Sequence, residues 1–424
     1  MKLSHSFKWR LRSGAFLTPL IRALFGWRYR NFSNAAAHSA VPLDQIKSVL
    51  LLRLDEIGDV VLTTPLLREL RRNLPRAWIT LVVEPGVRNL VELCPHVNEV
   101  LTFGRRGQGL LESLQRHGRA AALAWRVLRR RNFELCLLPR WDIDWYHGTL
   151  LAYLSGAPRR AGFSEHVNVT KKHFNLGFDS MLTQQFHDSV IKHDVRHNLD
   201  VVGFLGGEVR EEHLELWLGA EDEHFAEALL HQHEVHADDL LIALGIGAGA
   251  KKRQWPLESY GQLCQWLHNQ FHARVVLIGG RGDRSMTGEF RNRLGIAPID
   301  CTGTTTLRQT AALLKRCTLY VGNDAGPMHI AAAAQIPVVE LSCHPKLGSE
   351  RSANSPLRFG PWNTRAVIIQ PASERAPCVE ECGATVAHCI LGISVEQVKV
   401  VLSDLLSSAP MGSREQRIRT TVAI

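Results

Sequence analysis

Asp324, Gly326 and His329 fall within one short stretch, Val321-Gly-Asn-Asp-Ala-Gly-Pro-Met-His329. The apolar segment Thr318–Val321 predicts a strand, and the alanine run after Ile330 predicts a helix. A strand-turn-helix junction aims unpartnered helix N–H groups, and the positive end of the helix dipole, at whatever lies beyond the strand. That arrangement favours an anion, a phosphate above all. Two further stretches have the same character. Gly245-Ile-Gly247-Ala-Gly-Ala250 runs into Lys251-Lys252-Arg253, and Gly279-Gly280-Arg281-Gly282-Asp283 follows another apolar segment. Glycines let a ligand approach the backbone, and Lys and Arg supply positive charge. Together they predict a site for a phosphorylated ligand such as a nucleotide. The glycine pattern lacks the Lys-Ser/Thr ending of a P-loop, which argues against an ATPase of that class.

Nearer the amino terminus, Gly58-Asp59 follows the apolar run Val49–Leu52 and opens a helix. An aspartate there either sits on the positive helix end or acts as a general base. Asp142-x-Asp144 in the Arg140–Trp145 loop has the form of a metal-binding carboxylate pair, but it lies in the other half of the chain from the nucleotide-type loops. Cys378-x3-Cys382-x6-Cys389, with His388, has the composition of a metal cluster with irregular spacing; a structural thiol cluster or a disulfide are the other readings. No metal ligand is assigned from sequence. His224, His231, His233 and His236 read as a solvated helix face.

The elements that position these residues alternate. In the first half, strands are expected at Val49–Leu52, Trp78–Val83, Val100–Phe103 and Leu135–Leu138. Helices are expected from Gly58 to about Leu74, over Val87–Leu93 and near 110–131. Residues 140–205 read as a loop, a helix, a polar stretch and a helix near 190–205. The rhythm restarts with strands at Leu240–Leu244, Val275–Ile278, Pro298–Cys301, Thr318–Val321 and Pro337–Leu341, and helices at Leu257–Phe271, to about Leu294, and over Leu307–Lys315. Continuous apolar strands alternating with helices predict an α/β fold with two doubly wound parallel sheets. Ligands of such sheets bind beyond the carboxyl ends of the strands, where every loop named above falls. The expected organisation is a basic amphipathic segment and linker over 1–42, a first domain over 43–206, a linker over 207–220, a second domain over 221–410 and a disordered tail over 411–424.

The 424 residues, 45% hydrophobic and 21% charged, suit a soluble protein with two cores. Net charge is +9, and the first 32 residues supply +7 of it. From Thr18-Pro19 onward, Leu20, Ile21, Leu24, Phe25 and Trp27 share a helical face beside Arg22, Arg28 and Arg30, the composition of an interfacial membrane helix. No apolar run reaches the ~20 residues of a transmembrane helix, and no signal-peptide pattern is evident. A cytoplasmic protein is expected, with reduced core thiols and an anionic partner. Nucleic acid is not expected, because no recognised module accompanies the positive charge.

In combination, Arg53-x5-Asp59-Val-Val-Leu-Thr-Thr-Pro65, Lys251-Lys-Arg-Gln-Trp255-Pro256, Gly279-Gly280 and Asn323-Asp-x-Gly-Pro-Met-His329 resemble glycosyltransferase family 9, the ADP-heptose:lipopolysaccharide heptosyltransferases. The resemblance covers about residues 46–405. It implies a glycosyltransferase-B fold, two facing Rossmann-like doubly wound domains, and inverting transfer with no metal and no cofactor. It makes Asp59 the base that deprotonates the acceptor, with Arg53 and Arg140 on the acceptor side. It places Gly247, Arg253, Gly280, Asp283, Asp324, Ala325, Gly326 and His329 on the donor side. Arg253 stands where the family has a phosphate-binding Lys, and Ala325 where it has Thr or Ser; Asp283 stands near the acidic residue for the ADP ribose. The implied partners are an ADP-sugar, a lipopolysaccharide core acceptor and an anionic inner-membrane surface. Two alternatives are a different sugar nucleotide or acceptor on the same fold, and a non-catalytic nucleotide-binding scaffold at the membrane.

Overall fold

The computed structural model describes residues 43–104, 110–144, 148–175, 177–293, 295 and 297–407. The expected amphipathic segment over 1–42 and the expected tail over 411–424 lie outside the described residues. The chain divides into two compact units, with the boundary between Glu212 and His213. Among the described residues, no helix is long and apolar enough to cross a membrane.

The first unit is built on a six-stranded, all-parallel sheet of β1 (Ser48–Arg53), β2 (Trp78–Val83), β3 (Glu99–Thr102), β4 (Leu135–Leu138), β5 (Arg159–Phe163) and β6 (Gln184–Phe186), in the order β3-β2-β1-β4-β5-β6. The second repeats it with β7 (Leu241–Gly245), β8 (Arg274–Ile278), β9 (Ile299–Asp300), β10 (Leu319–Asn323), β11 (Val338–Leu341) and β12 (Ala366–Ile369), in the order β12-β11-β10-β7-β8-β9. In each sheet the chain winds outward in one direction, returns to the middle, and winds outward in the other. This is the Rossmann order, and its switch point, between β1 and β4 or between β7 and β10, is where loops diverge and leave room for a ligand. The α/β class and the doubly wound parallel sheets are as the sequence predicts.

Central strands are buried on both faces, as helix-covered parallel strands must be. Val49, Leu50 and Leu51 of β1 and Leu241–Leu244 of β7 are at most 1% exposed. The second core also takes in Trp255, Tyr260 and Leu263, and the helix Val395–Ser407 contributes Val398 and Leu402.

Local structure departs from expectation in three places. The single helix expected from Gly58 to Leu74 is two, Ile57–Val61 and Thr64–Asn73. Pro65 has no N–H to give the helix ladder and its ring crowds the preceding turn. Meanwhile the hydroxyls of Thr63 and Thr64 donate to the carbonyls of Asp59 (2.7 Å) and Val61 (2.8 Å). The helix expected after the Arg140–Trp145 loop is present as Gly148–Leu154, but strands β5 and β6 fall in what read as a polar stretch. Arg160 disguises β5: its side chain is buried but donates to the carbonyls of Met181 (2.7 Å) and Ala157 (2.5 Å). Strand β12 adds a partly exposed edge beyond β11, which had read as the last strand.

One side chain ties the second unit's switch-point loops together. Asn323, fully buried at the end of β10, accepts from the Trp255 N–H (3.0 Å) and donates to the carbonyls of Ile246 (3.0 Å) and Gly247 (3.3 Å). Replacing it with alanine strands these groups away from water. Asn323→Ala should lower unfolding free energy by about 3 kcal/mol, read from urea denaturation; a loss too small to measure would show that the loops hold without it.

Candidate active site

In the first unit, β1 ends in Arg53 and its loop opens the short helix Ile57–Val61 with Asp59 in its first turn. The Asp59 carboxylate accepts from the Glu56 N–H (3.1 Å), which fixes it against the helix start. Arg53 is 1% exposed. Its guanidinium meets Asp194 (2.7 Å), Asp55 (3.1 Å) and Asp59 (3.6 Å) and donates to the Asn198 side-chain oxygen (3.3 Å). Arg140, from the loop after β4, is ion-paired with Asp55 and donates from Nε to the Ile143 carbonyl (2.6 Å). The Asp55–Arg140 pair thus joins the two loops that part at this sheet's switch point.

These five groups comprise three carboxylates and two guanidiniums, one negative charge in excess. The side chains of Asp55 and Asp194 are 4% and 6% exposed, and that of Asp59 is 19% exposed. The carboxylate that reaches solvent therefore belongs to a set with surplus negative charge and is held at a fixed angle, the condition of a general base. Burial pushes the Asp55 carboxyl up to about 6, against the pull of Arg140 and Arg53. Burial lowers the Arg53 pKa, but Asp194, Asp55 and Asp59 together outweigh it and raise the net value. Arg53 was expected on the acceptor side; its burial makes it the residue that holds Asp59 instead. Arg140 retains a partly exposed side chain.

Asp144 does not stand as half of an open metal pair. One of its oxygens accepts from the Gly148 N–H and the other from the N–H and hydroxyl of Thr149, at 2.7–2.8 Å. It caps the helix Gly148–Leu154. Lys171, buried beside it, donates to the carbonyls of Arg140 (2.9 Å) and Phe163 (3.0 Å), and burial lowers its pKa to about 8.

In the second unit the glycine-bearing turns after β7, β8 and β10 lie at the carboxyl ends of neighbouring strands. Arg253 meets Asp324 (3.2 Å) and donates from Nε to the Asn354 side chain (2.9 Å). This second Arg–Asp pair again bridges the two switch-point loops. Asp324 is 5% exposed, while the Arg253 side chain remains 27% exposed. Asp283 accepts from the Gly280 N–H (2.9 Å) and lies against Gly247, where a Cβ would fall 2.5 Å from its carboxylate. A side chain at Gly247 would have to displace the Asp283 carboxylate. Gly245 is similarly constrained: a Cβ there would fall 1.9 Å from the Tyr320 hydroxyl. Ala325 is the N-cap of the helix Gly326–Ala333, in extended backbone and with no side-chain cap. His329 sits within that helix, 5% exposed. Beneath the turn, Glu340 is 1% exposed, and burial first, then the Asp324 charge, raises its carboxyl well above the usual range.

The structure therefore brings Arg53, Asp59 and Arg140 together in one unit, and Gly247, Arg253, Gly280, Asp283, Asp324, Ala325, Gly326 and His329 around the switch point of the other. Sequence reading missed Asp55, Asp194 and Asn198, which surround Arg53, and Asn323 and Asn354, which fix the Arg253 loop. Asp55 lies within the Arg53-x5-Asp59 motif and Asn323 opens the Asn323–His329 motif, but nothing local marks Asp194 or Asn198, 141 and 145 residues from Arg53.

Two Rossmann-type units in one chain, one carrying phosphate-type loops and the other a poised carboxylate, define a glycosyltransferase of the B-fold class. The chain belongs to glycosyltransferase family 9 (heptosyltransferase), whose model matches residues 125–386. The lipopolysaccharide core heptosyltransferase OpsX of Haemophilus influenzae is 21% identical over 332 residues, covering 78% of this chain and 86% of that one. Among solved structures, a family 9 glycosyl transferase from Veillonella parvula superposes with a TM-score of 0.72 at 23% identity, covering 88% of this chain and 100% of that one. The ADP-heptose lipopolysaccharide heptosyltransferase II of E. coli does so with a TM-score of 0.62 at 20% identity, covering 85% and 98%.

The Asp55 carboxyl gives a pH prediction. Between its ordinary value of 3.8 and about 6, the folded chain holds a proton that the unfolded chain has released. Native stability attributable to this group is therefore fullest below 3.8 and lost as pH rises through 6. Asp55→Asn does not titrate, so its stability relative to the parent should improve steadily from about pH 4 to about pH 7. Urea unfolding across that range measures this; a pH-independent difference would overturn the assignment.

Proposed function

We propose that the chain transfers heptose from ADP-heptose to a lipopolysaccharide inner-core acceptor, with inversion and without a metal ion in the transfer step. The observation that carries this reading is Asp59, the most exposed of the three carboxylates in the Arg53 cluster at a switch point. Asp59 accepts the proton of the acceptor hydroxyl as that oxygen bonds to the anomeric carbon. The bond from that carbon to the diphosphate oxygen breaks, and ADP leaves with the electron pair. Attack opposite the leaving group inverts the centre.

The second unit stabilises the departing charge. Arg253, held by Asp324 and Asn354, faces the diphosphate, and the Ala325–Gly326 turn presents backbone N–H at the positive end of its helix. Gly247 and Gly280 allow close backbone approach, and Asp283 between them accepts from the ribose hydroxyls. His329, buried in the helix, fixes the turn. Arg140 contributes positive charge toward a phosphate- and carboxylate-rich acceptor. The donor and acceptor follow the names of the relatives, a lipopolysaccharide core heptosyltransferase and an ADP-heptose enzyme.

Such an acceptor is presented by the inner membrane, so we place the protein in the cytoplasm, peripheral to that membrane. Within the described residues, the basic helix Leu110–Arg126 carries Trp125, 69% exposed, with the Arg129 guanidinium 5.4 Å over its ring. That pairing of aromatic and cation suits an anionic interface. A second reading keeps the chemistry and changes the sugar nucleotide or acceptor. Ala325 favours it, because the turn lacks the hydroxyl usual in the resemblance.

Asp59→Ala should lower turnover by about 10²–10⁴-fold while calorimetry shows ADP affinity unchanged; near-normal turnover would sink the base assignment. Arg253→Ala should weaken ADP binding by about 10–100-fold and also slow turnover, because the departing charge loses its cation. A panel of sugar nucleotides decides the donor: reaction with UDP- or GDP-sugars and none with ADP-sugars would leave only the fold.

A further inference from the structure

Cys378, Cys382, His388 and Cys389 take no part in the proposed transfer, yet the fold gathers them. One ligand atom from each, three sulfurs and an imidazole nitrogen, all lie within 4.8 Å of one another. His388 Nδ1 is 3.5 Å from the sulfur of Cys378 and 3.5 Å from that of Cys389. Zinc bonded to sulfur at ~2.3 Å and to nitrogen at ~2.0–2.1 Å in a tetrahedron places sulfur and nitrogen ~3.6 Å apart. Both of these nitrogen–sulfur edges therefore have the length of a tetrahedral ligand shell. The three thiols are free, Cys382 and Cys389 are fully buried, and Cys378 and His388 are partly so.

The surrounding chain needs a fastening. Between residues 378 and 388 the only regular pairing among the described residues is one isolated bridge, Val379 to Glu381. This irregular segment nevertheless holds several contacts next to the Arg253 loop. The Cys382 carbonyl accepts from Lys252 Nζ (2.7 Å), and the Glu380 carbonyl accepts from the Ser349 N–H (2.8 Å). The Glu381 carboxylate accepts from the Ser352 hydroxyl (2.6 Å), and just beyond the cluster the Ile393 carbonyl accepts from the Trp255 indole N–H (3.0 Å).

We propose that Cys378, Cys382, His388 and Cys389 bind one divalent transition-metal ion, zinc by preference, as a structural clamp that fastens segment 378–392 against the 251–255 loop. Three thiolates and one imidazole fill a tetrahedral shell and leave no open position for substrate. The ion is therefore separate from the glycosyl transfer, which remains the work of Asp59 and Arg253. A disulfide would join two sulfurs and leave the third beside an imidazole with no role. The nitrogen's equal distance from two sulfurs fits a shared central ion instead.

The test is metal analysis of full-length protein purified without chelator. About one equivalent of zinc per chain is expected, falling to a small residue in Cys378→Ser and in the double variant Cys378→Ser/Cys389→Ser. Cys378 is partly exposed, so its serine variant should keep the parent's circular dichroism. Cobalt(II) exchanged into the parent should give the intense visible bands of a tetrahedral thiolate site. Removing the ion with a chelator should raise amide hydrogen exchange at 251–255 as well as at 378–392. Metal-free parent protein with three reactive thiols, a Cys–Cys disulfide found by mass spectrometry, or undiminished metal in the double variant would each overturn the site. Unchanged exchange at 251–255 would overturn the clamp. None of these readouts depends on the donor or on turnover, so their failure leaves the proposed transfer standing.

Discussion

A guanidinium with almost no exposure must be surrounded by acceptors, and Arg53 is the point where the first unit satisfies that demand. It sits on the last residue of β1, at the edge where the sheet opens. Its partners come from its own loop (Asp55), the first helix (Asp59) and the helix Asp194–Phe204 (Asp194 and Asn198); Asp55 passes the connection on to Arg140 after β4. One buried cation thus fixes the relative positions of four segments. Only Arg offers planar donors in several directions at once, so a lysine could not reproduce the set. Removing the Arg53 guanidinium would leave its carboxylate partners uncompensated in a site with little water, which is costly at about 3–5 kcal/mol. The consequence for chemistry is that Asp59 cannot drift. Its position is set by groups that are themselves immobile.

The second unit answers the same topological problem differently. Its switch-point loops are also joined by an Arg–Asp pair, Arg253 with Asp324, but the arginine comes from a loop and stays partly exposed. Rigidity comes instead from an uncharged residue, Asn323, which is fully buried and holds backbone groups of the opposite loop. The first unit buries its cation to fix a carboxylate. The second buries an amide and leaves its cation at the surface. Under the proposed transfer, that difference separates a base from a charge that must meet a ligand.

Much of this could be read in the sequence. Continuous apolar runs marked the central strands to within a residue or two, because parallel strands covered on both faces must be apolar throughout. The glycine turns and Asp59 fell at strand ends for the same reason. Where reading failed, buried polarity was the cause. Arg160 made β5 look like surface, since its compensating carbonyls are supplied by residues that only the fold brings near. The family resemblance put Arg53 on the acceptor side; its inward turn depends on Asp194 and Asn198, which no local pattern connects to it. Asp144 looked like half of a metal pair, and its true neighbours, the N–H groups of Gly148 and Thr149, needed only a helix start that sequence had not placed.

Ala325 shows how one missing hydroxyl redistributes the work of an anion site. A serine or threonine at that N-cap could hydrogen-bond a ligand or satisfy the helix's own first-turn donors. Alanine does neither. The next residue but one, Pro327, has no N–H, and the Met328 N–H returns to the Ala325 carbonyl at 3.0 Å. Few backbone donors are then left at this helix end. The helix dipole persists, but in the proposed transfer directional hydrogen bonding to the diphosphate would shift toward another nearby donor. Arg253 is that donor, and its loop is held from three sides, by Asp324, by Asn354 and, through the neighbouring Lys252, by the carbonyl of Cys382. A turn reduced to its backbone thus needs a cation whose position is fixed by its surroundings, and the contacts around Arg253 supply that fixity.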